Sequence, residues 1–138
     1  MLRTLIIVAG VGQLLLAAGS LAIPSVLKWR YELAKVRPLT RQVFWTYAGY
    51  IWTTNVSFGL VSLLMPDELL AGTKLAAAVC GFITLYWLAR IVIQFAYFDR
   101  RGAPTGIIFT LAEVALVGLF IFLTGTYGWA VASNFGLV

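Results

Sequence analysis

Apolar residues come in long blocks in this chain, and charge falls almost entirely between the blocks. No charged residue occurs from Thr4 to Leu27, from Gln42 to Pro66, or from Val114 to Val138. Crossing the hydrocarbon core of a bilayer takes about 20 apolar residues. On that measure the pattern predicts four spans, over about residues 5–23, 43–65, 75–97 and 106–124. Breaks between them are marked by Pro24, by Pro66-Asp67-Glu68, and by the polar run Asp99-Arg100-Arg101-Gly102-Ala103-Pro104. Proline has no backbone N–H for the helical ladder and its ring clashes with the preceding turn, so these positions read as ends. The expected fold is an all-α membrane protein forming one integral-membrane domain over residues 1–138. Connections this short force successive helices to be antiparallel, giving an up-down bundle of four transmembrane helices.

The first span has a second reading. Arg3 precedes an apolar run ending in the small residues Ala17-Ala18-Gly19-Ser20, which resembles a signal peptide. The stretch is long enough to cross, and an uncleaved helix is the expectation. Between the first two spans, Val26, Trp29, Leu33 and Val36 recur on one helical face, while Lys28, Glu32 and Lys35 fall on another. This predicts a short amphipathic helix in the membrane interface, with Trp29, Lys28 and Lys35 as its anchor. It serves either as a topology anchor or as a docking surface for a partner or an anionic lipid. Phe44, Trp45, Tyr47 and Tyr50 crowd the start of the second span, and Tyr127 and Trp129 follow the fourth. Both groups are expected at headgroup level.

Composition agrees with the pattern: 62% of the 138 residues are hydrophobic and 11% charged, where a soluble domain has about 25% charged residues. Histidine is absent and Cys80 is the single cysteine. Haem, zinc and copper sites, Ser-His-Asp triads and internal disulfides therefore lack their residues, and no cofactor is expected. The net charge of +5 does not point to nucleic acid, because the cations lie in short loops beside the bilayer. Lys28, Arg30, Lys35, Arg37, Arg41, Arg100 and Arg101 fall on one side and Arg3 and Lys74 on the other. The excess of basic residues places the first group in the cytoplasm and both termini outside.

Inside the spans the informative residues are Arg90 and Glu113. Arg90 lies seven residues before the end of the third span at 97 and Glu113 seven after the start of the fourth at 106, on adjacent antiparallel spans, which places both roughly 10 Å below the cytoplasmic boundary. An unpaired charge there costs a few kcal/mol on insertion scales, so the expectation is that they pair. Gln94 and Trp87 share the face of Arg90 at i+4 and i−3. Together Arg90, Glu113 and Gln94 form the candidate intramembrane site, read either as a proton, ion or headgroup site or as a structural ion pair. The register matters here. With the fourth span shifted toward Trp129, Glu113 rises to the interface and Arg90 takes another partner. Deeper polar residues are sparse: Gln13, Asn55 and Thr84 near the midplane, with Trp52, Gly59 and Ser62 on the face of Asn55. Ala77, Gly81 and Thr84 form a small-residue stripe on the third span. They read as packing contacts between helices.

The segment from Pro24 to Tyr47 and the segment Cys80-Gly-Phe-Ile-Thr-Leu-Tyr-Trp-Leu-Ala-Arg90, continuing through Gln94-Phe95 to Phe98-Asp99, carry a family likeness. They resemble a group of small uncharacterised bacterial membrane proteins. The likeness covers roughly the first hundred residues and is weaker in the fourth span. It implies a four-span chain in a bacterial inner membrane and transfers no activity, because none is established for that group.

Three functions compete on this evidence. A non-catalytic subunit or accessory component of a membrane assembly, homo- or hetero-oligomeric, suits the small size and the abundance of aromatic and small residues. A small oligomeric transporter or channel would use Arg90 and Glu113. A lipid enzyme would have only Glu113, Arg90, Tyr86 and Asp99 to work with. The first is the expectation: not an enzyme, with the lipid bilayer and a membrane protein or a second copy as partners.

Overall fold

Proline placement and apolar length dictate the helices that form. A computed structural model of the chain describes residues 1–96 and 106–137, and it contains helices α1 (Leu2–Ser20), α2 (Ile23–Val26), α3 (Trp29–Leu33), α4 (Pro38–Leu64), α5 (Pro66–Leu69), α6 (Lys74–Ala96) and α7 (Ile107–Asn134). Of the described residues, 86% are helical and none is in a strand, so the chain is all-α as expected. Pro24, Pro38 and Pro66 all sit in the first turn of a helix, where the missing N–H costs nothing. They divide the chain by starting helices as much as by ending them.

Three segments are long and apolar enough to cross a membrane: Leu2–Val26, Lys74–Phe95 and Ile107–Asn134. The chain is thus a multi-pass membrane protein by length and composition. The expected second span falls in α4, which has 27 residues but is less apolar than the other three. Arg41, Gln42, Asn55 and a series of Thr and Ser residues dilute it.

Two boundaries differ from the sequence reading in ways that matter. α7 does not stop near Thr124 but continues to Asn134, because nothing from Gly125 to Ser133 is charged or a proline. Tyr127 is therefore no headgroup anchor. It is fully buried, whereas Trp129, two positions on, keeps 41% of its surface exposed. The amphipathic helix expected from Val26 to Val36 is also interrupted. Lys28 takes a left-handed backbone conformation (φ 56°, ψ 48°) that ends one helical turn and starts α3. A non-glycine residue seldom adopts this conformation, and one such residue suffices to turn the chain. The predicted apolar stripe is split as a result: Leu33 is buried and Trp29 half-buried, while Val26 and Val36 are exposed.

The long helices pair as α1 with α4 and α6 with α7, and α1 joins the pairs by packing on α7. Backbone meets backbone where α1 crosses α4. A Cβ on Gly10 would lie 2.9 Å from the carbonyl oxygen of Gly59, and one on Gly59 would lie 2.8 Å from Leu14 Cγ. Glycine at both positions is what allows this approach, which in lipid must be driven by packing. On α6 and α7 the fit is looser, with Thr84 beside Gly128 and Gly81 beside Val131. The core contains Ile6, Ala9, Cys80, Ile83, Trp87, Phe120, Leu123, Tyr127 and Ala130, with Leu69 of α5 closing one end. It lies toward the Asn134 end of α7. At the opposite end the first turns of α7 expose Ile107, Ile108 and Leu111, and the first half of α4 exposes Tyr47, Tyr50 and Ile51.

Candidate functional site: a polar centre joining four helices

Each long helix sends one polar group to the same buried point. Gln13 (α1), Ser62 (α4) and Tyr127 (α7) are fully buried, and Trp87 (α6) is 1% exposed. Trp87 Nε1 donates to Gln13 Oε1 at 3.1 Å. Gln13 Nε2 donates to the Ala9 carbonyl at 3.2 Å and to Tyr127 Oη at 2.6 Å. Tyr127 Oη and Ser62 Oγ share a further hydrogen bond. Chemistry fixes the direction of this chain. An indole N–H can only donate and a carbonyl can only accept, so the Gln13 amide has one consistent orientation. Tyr127 accepts from Gln13 and has its own proton left for Ser62.

The geometry follows from local sequence. Gly10, three residues before Gln13, brings α4 close enough for Ser62 to reach the interior. Trp87 is held flat against Phe120, with ring centroids 5.4 Å apart and an interplanar angle of 19°. That stacking aims its N–H toward α1. In an apolar medium each member would be costly alone, and together each satisfies another. Among the described residues no buried side-chain nitrogen or oxygen lacks a hydrogen-bond partner.

Smaller contacts flank the centre. Asn55 Oδ1 accepts from Tyr86 Oη at 2.7 Å, tying α4 to α6, and Trp52 Nε1 donates to the Ala17 carbonyl at 2.9 Å, tying α4 to α1. Thr84 turns its hydroxyl back to the Cys80 carbonyl within its own helix, 2.8 Å away. Asn134 ends α7 by donating to the Leu69 carbonyl at 2.7 Å and accepting from the Gly72 amide at 2.9 Å. One side chain thus clamps the turn after α5. On the surface nearby, Arg3 and Asp67 form an exposed ion pair at 2.9 Å.

Arg90 is half-buried on α6. Its guanidinium donates to Gln94 Oε1 at 3.2 Å and lies 5.1 Å from the Phe120 ring centroid, a cation–π contact. The i+4 relation to Gln94 read from the sequence is therefore used. Between described residues the ion pairs are Arg3–Asp67 and Lys35–Glu32, and Arg90–Glu113 is not among them. Neither Arg90 nor Glu113 lacks a partner. α7 begins at Ile107, one residue from the expected start, so Glu113 lies in its second turn, and the extra length is all at the other end. Asp99, Arg100 and Arg101, expected in the polar connection, lie outside the described residues.

The residues expected to form an interfacial anchor do not lie on one continuous amphipathic helix. Trp29 packs edge-on against Phe44 and Trp45, at centroid distances of 4.8 and 5.7 Å. This aromatic cluster pins α3 to the start of α4. Lys35 is 3.6 Å from Glu32 and sits 4.4 Å over the Tyr31 ring. Lys28 is exposed at the left-handed turn.

Of the central four, the sequence flagged Gln13 as a deep polar residue and Ser62 as a member of the Asn55 face. Trp87 stood out only as a neighbour of Arg90, and Tyr127 was misplaced to the interface. An uncharged run continuing past Tyr127 to Val138 was the available signal for the longer helix. No protein-family model, curated protein or solved structure matches the chain.

Proposed function

We propose that this protein is a non-catalytic integral membrane subunit or accessory component, acting within a homo- or hetero-oligomeric assembly in a bacterial inner membrane. In this reading α4 is the fourth span, α1, α4, α6 and α7 form an antiparallel up-down bundle, and both termini lie outside. α4 supports this by its length, about 40 Å at 1.5 Å per residue, and by its backbone-close packing along α1, itself an apolar crossing segment.

One observation carries the functional reading: the buried polar groups are consumed by one another. A transporter needs polar groups open to a solute, and a catalyst needs a positioned acid, base or nucleophile with room for substrate. Gln13, Ser62, Trp87 and Tyr127 instead spend their hydrogen bonds joining four helices. The apolar surface at the start of α4 and α7 offers what an assembly needs, contact area.

Particle mass after extraction into native-lipid discs tests the proposal. The expected result is a particle larger than one chain plus lipid, containing further copies or a second protein. A monodisperse monomer that conducts solute in reconstituted vesicles would replace it with the transporter reading.

A further inference from the structure

The interrupted segment between α1 and α4 borders an open groove of about 600 Å³ lined by Leu21, Pro24, Ser25, Lys28, Arg30, Tyr31 and Trp45. From this lining we infer a binding site for the phosphate headgroup of an anionic phospholipid. Every polar side chain on the groove can donate a hydrogen bond, and none carries negative charge. Lys28 and Arg30 contribute two cations, Ser25 and Tyr31 two hydroxyls, and Trp45 an indole N–H, while no acidic residue lines it. Among the described residues neither Lys28 nor Arg30 has an acidic partner. Nor do the Ser25 and Tyr31 hydroxyls or the Trp45 N–H make a hydrogen bond there. These donors are uncommitted, in contrast to the buried polar side chains among the described residues, all of which have a partner.

Cations with hydroxyl and indole donors match a phosphodiester, which carries negative charge and only acceptor oxygens. Arg30 supplies the planar fork suited to such an oxyanion. Lys35, seated on the Tyr31 ring, adds a third positive charge beside the groove, partly offset by Glu32. Leu21 and Pro24 form an apolar wall at the end of the crossing segment Leu2–Val26, where acyl chains begin. Trp45 keeps 38% of its surface exposed at the same level, as aromatic residues at the interface do. A free phosphate shares the headgroup's charge but gains nothing from that wall, so the lipid is the occupant assigned. The left-handed turn at Lys28 acquires a purpose in this arrangement. A continuous helix would carry Lys28 and Arg30 around separate faces, and the turn brings both to one concavity.

The test uses the full-length protein in discs of equimolar phosphatidylglycerol and phosphatidylcholine, with retained lipid read by native mass spectrometry. The wild type should hold a phosphatidylglycerol that outlasts phosphatidylcholine as collision energy rises. Lys28→Gln combined with Arg30→Gln should weaken that retention roughly 100-fold, on the scale of two charge-assisted hydrogen bonds lost together. Arg37→Gln combined with Arg41→Gln removes the same charge from the start of α4, outside the groove, and should leave retention unchanged. Equal losses in both double variants would reduce the effect to general charge attraction and overturn the site. Displacement by excess inorganic phosphate, or retention indifferent to headgroup, would overturn the lipid assignment. Helical circular dichroism and elution volume matching the wild type establish that each variant is folded.

Discussion

Gln13 and Tyr127 are 114 residues apart in sequence, yet their side chains meet at 2.6 Å with neither exposed. This contact joins the first long helix to the last, and it is doubled by Trp87 on one side and Ser62 on the other. The pair therefore reports on whether all four long helices have docked.

Tyr127→Phe keeps the ring and deletes the hydroxyl, stripping Ser62 of a partner and Gln13 of an acceptor. The expected destabilisation is about 1 kcal/mol, the usual scale for hydrogen bonds between membrane helices. Gln13→Leu should cost more, about 1–3 kcal/mol, because it strands the buried Trp87 N–H and leaves the Tyr127 hydroxyl with Ser62 alone. Unfolding followed by tryptophan fluorescence in mixed micelles measures both. In the double variant the losses should be smaller than their sum; strict additivity would show that the two side chains are not coupled.

Gly10→Ala places a methyl 2.9 Å from the Gly59 carbonyl and forces α1 and α4 apart. Overpacking of this kind costs about 1–3 kcal/mol. Gly49→Ala, on the same helix as Gly59 but with nothing within 4 Å, should be neutral or mildly stabilising. Equal thermal stability of the two variants in detergent would contradict the close crossing.

Asn134→Leu removes the clamp on the Leu69 carbonyl and the Gly72 amide while retaining side-chain bulk. The turn following α5 should loosen without global unfolding. Hydrogen exchange at Gly72 should accelerate, with the interior of α6 unchanged. By comparison Asp67→Asn, which breaks the exposed pair with Arg3, should change stability by less than about 1 kcal/mol. A larger effect from Asp67→Asn than from Asn134→Leu would reverse this ranking.

Native Cys80 is fully buried and should resist an impermeant thiol reagent until the protein unfolds. In a Cys80→Ala background, cysteine at Leu137 should react in intact cells and cysteine at Thr40 only after permeabilisation, as the excess of basic residues on the Thr40 side implies. The opposite labelling pattern would invert the proposed orientation.

Much of the architecture follows from sequence because it depends on local quantities. The transfer of a segment into lipid sums over its own residues, so uncharged runs and prolines were enough to determine an all-helical membrane chain and the order of its long helices. Gln13 as a deep polar contact and Gln94 as the companion of Arg90 were legible for the same reason, one from depth along a helix and one from i+4 spacing. What lay beyond the sequence was decided by rotation and register between helices. Gly10 and Gly59 fix how α4 faces α1, and hence that Ser62 points inward. Ten further residues of α7 carry Tyr127 from a supposed interface to the centre of the core. A single left-handed residue, Lys28, turns a predicted continuous helix into a concave segment. Hydropathy is nearly uniform around each helix in such a chain and cannot say which face turns inward. Only the mutual fit of the helices, where close backbone approach and shared hydrogen bonds supply the energy, makes that choice.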